Sequence, residues 1–94
     1  MATSPTLGSR IRVNEDVLFQ ELQGEAVLLN LKTGVYFGLD PVGTRIWQLL
    51  DTHTVLSDIL AVVLAEYDVA EARGGEELLA LVTDLEQHGL VTLT

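Results

Sequence analysis

Reactive side chains are few. The chain holds two histidines and no cysteine, with 14 carboxylates against five basic residues. His53 has Asp51, Ser57 and Asp58 nearby in sequence, the residue types of a Ser-His-Asp nucleophile. That chemistry needs the three groups locked in a partly buried geometry. Here they occupy polar positions at the junction of two helical patterns, where capping and solvated loops are expected. His88 follows Asp84 at i+4, a spacing that sets two metal ligands on one helix face. Two protein ligands without a third histidine or a thiolate hold a metal poorly. A histidine close to a helix C-terminus is favoured there by the helix dipole alone. "GEAVLLNLKTG" lacks both the glycine pattern of a phosphate loop and the helix that must follow it. We therefore expect no catalytic residue, no metal and no cofactor.

The composition points the same way. Ninety-four residues fit one domain, and 48% hydrophobic content with a mean hydropathy of +0.33 belongs to a packed protein. The net charge is −9, and the five basic residues Arg10, Arg12, Lys32, Arg45 and Arg73 are scattered. Nucleic acid and anionic membranes demand clustered cations, so neither is expected as a partner. "MATSPTLGSR" lacks the apolar stretch of a secretory signal, and no apolar run reaches membrane-spanning length. The expected location, by elimination, is the cytoplasm.

The elements that must position any site read as strands first and helices second. Residues 1–9, rich in Ser, Thr, Pro and Gly, read as a flexible arm; residues 10–94 read as a single domain. "RIRV" (10–13) suits a short strand. "VLFQEL" (17–22), "EAVLLNL" (25–31) and "VYFGL" (35–39) then form an antiparallel meander, turning at Gln23-Gly24 and Lys32-Thr33-Gly34. Asp40-Pro41 starts a helix with Asp as cap and Pro in the first turn. Its apolar stripe is Val42, Ile46, Leu49 and Leu50, with Trp47 as half-buried cover beside it. Thr54 is expected to cap a second helix striped by Leu56, Ile59, Leu60, Val63, Leu64 and Tyr67. Asp68 and Glu71 stand at capping-box spacing before a third helix. That helix is expected to start late or kink at Gly74-Gly75, carries the stripe Leu78, Leu81, Val82 and Leu85, and ends at Gly89. "LVTL" (90–93) closes the chain as a short strand or packs down. This order makes an α+β fold resembling a winged helix-turn-helix, with a three-stranded antiparallel sheet followed by three helices.

The third strand of the meander is the informative one. Val35 to Leu39 carries no charge and no proline, the devices that normally blunt a sheet edge. A bare edge accepts a peptide as an extra strand, and a helix flank beside it supplies pockets. On the third helix the candidates are Leu78, Leu79, Val82 and Leu85, with Glu86 on the same flank. Alternatively the strand is paired on both sides, for instance by "LVTL".

The segments "LLNLKTGVYFGLDPVGTRIWQLLD", "VLSDILAVVLAEYDV" and "LVTDLEQHGLV" resemble the PqqD-like family of RiPP recognition elements, above all the stand-alone B1 proteins of lasso peptide biosynthesis. The resemblance covers nearly everything after about residue 15. It rests on the "LN-x-x-T/S-G-x-Y/F" hairpin, the "D-x-x-G-x-x-I-W-x-L-L" helix and the terminal "GL-V", in that order. It implies a non-catalytic adaptor and peptide chaperone. Such a protein binds the leader of a ribosomally made precursor as an antiparallel strand on the third strand, against the third helix. Lasso leaders of this kind often carry a Tyr-x-x-Pro element that enters an apolar pocket. The implied leader-binding residues are Val35, Tyr36, Phe37, Gly38, Leu78, Leu79, Val82, Leu85 and Glu86. The implied partners are the precursor leader, a separate B2-type leader peptidase and a cyclase, with the chain itself a monomer or weak dimer. Two alternatives stand beside this: a winged-helix DNA-binding regulator, although "VLSDILAVVLAEY" holds no Lys or Arg, and a PqqD-type chaperone serving a radical enzyme.

Overall fold

A computed structural model describes residues 5–94. Five strands and three helices follow in the order β1 (Ile11–Val13), β2 (Val17–Leu22), β3 (Glu25–Asn30), β4 (Val35–Leu39), α1 (Pro41–Leu49), α2 (Leu56–Glu66), α3 (Glu71–Gln87) and β5 (Val91–Leu93). The fold is α+β. The strands β2, β3 and β4 form an antiparallel meander in that order, and β1 pairs with β5. The C-terminal strand therefore completes a separate two-stranded ribbon, with Ile11 opposite Leu93, and leaves β4 alone.

Both hairpin turns follow from their residues. Gln23 and Gly24 have φ of 56° and 81°, the doubly positive pair of a tight two-residue hairpin, and Gly34 sits at φ 73°. Alternation then sorts the faces. Ala26, Leu28 and Asn30 of β3 are buried and stand opposite Leu39, Phe37 and Val35 of β4. These side chains look toward the helices, whereas Tyr36, Val27 and Leu18 look away from them.

Asp40 caps α1 as expected: its Oδ1 accepts from the Gly43 amide at 2.7 Å, and Pro41, the next residue, opens the helix. The other two helix starts differ from expectation. Neither Thr54 nor Asp68 is a cap; α2 and α3 begin after Val55 and Ala70 without a side-chain bond. At α2 the orphan amides are met by backbone from far away in sequence. The Leu7 carbonyl accepts from Ser57 at 2.8 Å, and the Ser9 carbonyl accepts from Leu56 at 3.1 Å. Residues 5–9 of the expected arm are thus tied down, with Leu7 packed on the core; residues 1–4 of that arm lie outside the described residues.

α3 runs unbroken through Gly74 and Gly75, which are buried against α2. A Cβ on Gly74 would meet Leu64 Cδ2 at 3.2 Å, so this glycine lets the two helices approach closely. α3 ends in a Schellman motif: Leu90 N–H donates to Leu85 at 2.9 Å and Gly89 N–H to Glu86 at 3.0 Å, with Gly89 at φ 71°. One core joins all three helices to β3 and β4, and its fully enclosed side chains include Leu28, Leu56, Ile59, Leu78, Val82, Leu85 and Leu90. Trp47 is buried rather than half-buried, at 7% exposure.

Candidate functional site

Among the described residues, β4 has a neighbour on one side only. In an antiparallel pair, the N–H and C=O groups of alternate residues point away from the partner strand. The far side of β4 is therefore a short row of unused backbone groups. The charged or proline residues that usually protect such a row are absent from Val35 to Leu39.

Beside this edge, between β4 and α3, lies a cavity of about 550 Å³. Phe37, Gly38 and Leu39 form its strand wall, and Glu77, Leu78, Ala80 and Leu81 its helix wall. Val42 and Ile46 of α1, with Val63, Tyr67 and Val69, line the rest. The lining is apolar apart from Asp40, Glu77 and Tyr67. Gly74 contributes by lacking a side chain where α3 passes Leu60 and Leu64.

The two walls run in opposite directions. Leu39 and Asp40 share the cavity with Gly74 and Glu77 near the start of α3. Phe37 meets His88 at the end of α3, ring centroids 4.9 Å apart and planes at 69°. Asn30 fixes this second end. Its Nδ2 donates to the His88 carbonyl at 3.0 Å, while its Oδ1 accepts from the amides of Lys32 at 3.0 Å and Thr33 at 3.3 Å. The hairpin leading into β4 is thereby tied to the helix end, which holds the trough at a set width.

Arg45 and Glu66 form a bidentate pair at 2.8 and 2.7 Å, joining α1 to the end of α2. The hydrogen bonds from Arg45 hold the Glu66 carboxyl below the usual carboxylate range, against a smaller opposing effect of desolvation.

The nine residues expected to bind fall into three groups. Phe37, Gly38 and Leu78 line the trough. Val35 and Tyr36 lie on the open strand with 43% and 68% exposure, Tyr36 on the face turned away from the helices. The remaining four lie outside the trough lining. Val82 and Leu85 are 0% and 1% exposed and belong to the core. Leu79 and Glu86 do not line the cavity. They project from the opposite flank, since successive residues turn by about 100° and Leu81, not Leu79, lies on the β4 side of Leu78. Missed at the sequence level were Leu81 and Glu77 on α3, Val42 and Ile46 on α1, and Tyr67. All except Glu77 had been assigned to apolar stripes, but a stripe does not reveal which of its margins borders a gap.

His53 is occupied locally, with Nδ1 at 2.8 Å from Thr52 Oγ1 and 3.2 Å from the Leu49 carbonyl. Among the described residues no hydrogen bond joins it to Ser57, Asp51 or Asp58. His88 bonds the Asp84 backbone carbonyl rather than its carboxylate. No helix among the described residues is long and apolar enough to cross a membrane.

No curated protein matches the chain. A solved structure of TbiB1 in complex with the TbiA(beta) leader peptide is similar at 35% identity, with a TM-score of 0.80, over 85% of this chain and 93% of that one. A lasso peptide synthetase B1 complexed with the leader peptide is similar at 27% identity and a TM-score of 0.77, over 88% and 98%. Residues 25–91, spanning the meander's last two strands, the trough and all three helices, match the family described as coenzyme PQQ synthesis protein D, PqqD, and the chain belongs to that family.

Proposed function

We propose that the chain is a non-catalytic adaptor that captures the leader of a ribosomally made precursor peptide, of the lasso class, as an added strand on β4. The observation that carries this reading is the unpaired edge of β4 lying directly beside an apolar trough. Backbone pairing along the edge would supply affinity, and the trough would select side chains. The two similar B1 structures support it, because each contains a leader peptide.

A leader antiparallel to β4 runs parallel to α3. Its N-terminal part then crosses the cavity near Leu39 and Gly74, where a Tyr-x-x-Pro element finds apolar walls. Its C-terminal part leaves past His88 and the Lys32-Thr33-Gly34 turn, toward the bond that a separate peptidase must cut. Tethering raises the local concentration of leader at that peptidase, a B2-type partner, and at a following cyclase. The adaptor would act in the cytoplasm as a monomer or weak dimer. On the helix side we assign the contacts to Glu77, Leu78 and Leu81.

The test is a titration of leader peptide into isotope-labelled protein. Amide signals of Val35 to Leu39 should move most, together with those around Leu81. Movement confined to β2, the other edge of the same meander, would overturn the assignment.

A further inference from the structure

His88 stands at the exit end of the trough, and among the described residues one of its ring nitrogens is uncommitted. Its Nδ1 lies 2.7 Å from the Asp84 carbonyl oxygen. A carbonyl only accepts, so Nδ1 carries the proton of this bond. In the neutral ring Nε2 is then left as an acceptor, on the far side of the imidazole from the helix carbonyl that holds it. The ring is exposed, and Phe37 packs against it edge to face at 4.9 Å. Residues 77, 81, 84 and 88 follow at four, three and four, so His88 shares a row of α3 with Glu77 and Leu81, which line the trough, and with Asp84.

A strand added to β4 places one residue directly opposite Phe37. Side chains at directly opposed positions point to the same face, with Cβ atoms about 4.5–5.5 Å apart. Phe37 faces the helices, so that residue of the incoming strand lies against the Phe37 ring and within reach of the imidazole behind it. β4 offers no polar side chain there other than outward Tyr36, and the rest of the α3 row is aliphatic or anionic.

We propose that His88 is a specificity residue of the leader site: its Nε2 accepts a hydrogen bond from the leader side chain opposite Phe37 and selects a donor there, Lys, Arg, Asn, Gln, Ser or Thr, over an aliphatic residue. The proposal rests on strand capture at β4 and names one chemical requirement of the captured peptide. The Asp84 carboxylate one turn earlier favours the cationic donors among them. An acceptor-only side chain, Asp or Glu, is disfavoured by both groups.

The experiment uses a library of short acetylated peptides, aliphatic at alternate positions and randomised at each position in turn, selected against the folded protein and two variants. On the native chain, one helix-facing position should prefer donors over Leu by about fivefold, the size of one net hydrogen bond. His88→Leu keeps an apolar contact with Phe37 but has no acceptor, and should flatten that preference while leaving the neighbouring apolar preferences intact. His88→Gln, whose amide oxygen accepts, should restore it. The same preference on His88→Leu, or none on the native chain, would overturn the role given to His88. Selected peptides that leave the Val35 to Leu39 amide signals unmoved would instead show that strand capture itself fails, and the role of His88 with it.

Discussion

At the scale of single residues, Asn30 and Gly89 explain why two distant sequence signatures occur together. The asparagine of the "LN" hairpin reaches its amide toward the carbonyls of His88 and Gly89, at 3.0 and 3.4 Å, and Asn14 donates to the same Gly89 carbonyl at 2.9 Å. A Cβ on Gly89 would lie 2.9 Å from Asn30 Nδ2, in a backbone conformation that L residues resist. Gly89→Ala should therefore cost about 1–3 kcal/mol, read as a fall in the urea midpoint. The helix-interior glycines separate differently. A Cβ on Gly75 meets its nearest neighbour, Leu60 Cδ2, at 3.7 Å, an ordinary contact. Gly75→Ala should stabilise the protein by about 0.5–1 kcal/mol through helix propensity. Gly74→Ala should gain less or lose stability, because Leu64 must shift. The turn glycines Gly34 and Gly89 were legible from local signals alone. The Gly74-Gly75 pair was not, because a glycine that weakens a helix and one that lets another helix approach look alike in sequence.

At the scale of elements, the helix ends show what local reading can reach. Asp40-Pro41 carries its own cap and is found where expected. Thr54 is passed over because the carbonyls of Leu7 and Ser9 already satisfy the first amides of α2, a long-range solution that a short sequence window does not contain. The strand order was legible in part. The meander followed from its turns, but the pairing of β5 with β1 needed the whole fold. The Arg45–Glu66 pair makes a testable link between α1 and α2. Bonding to Arg45 lowers the Glu66 pKa in the folded state, so folding is favoured while Glu66 is ionised in both states. That contribution is fully present above the ordinary glutamate pKa and is lost as pH falls through the depressed folded value. Glu66→Gln should lower the melting temperature at pH 7 relative to the native chain, and the two curves should converge in strongly acidic solution. A gap of constant size across that range would show that the ionised pair adds nothing to stability. Because both partners remain more than a third exposed, the gap should also narrow in high salt.

At the scale of the whole molecule, the bare strand and the helix beside it were both visible in the sequence, and the side of the helix was not. Periodicity places Leu78, Leu81, Val82 and Leu85 on one stripe, yet the stripe is wider than the core it covers. Its centre, Val82 and Leu85, is sealed. Its margins diverge: Leu81 borders the trough beside β4, and Leu79 lies beyond the other margin. Only the direction in which β4 passes α3 decides between them, and that depends on contacts between residues 37 and 88, far apart in the chain. The two flanks give a paired experiment. Leu81 and Leu79 are both half-buried against the core, so an aspartate at either site should lower stability to a similar degree. Leader capture should separate them. Leu81→Asp puts a charge into the apolar wall next to Glu77 and should weaken binding by at least about tenfold, or ~1.4 kcal/mol. Leu79→Asp should stay within about twofold, the change expected when a substituted side chain does not touch the ligand. Fluorescence anisotropy with a labelled leader reads the affinity, and thermal melting confirms that each variant remains folded. Equal losses from the two variants would mean that the peptide does not lie between β4 and the near flank of α3. A loss from Leu79→Asp alone would move the binding face to the flank that carries Glu86.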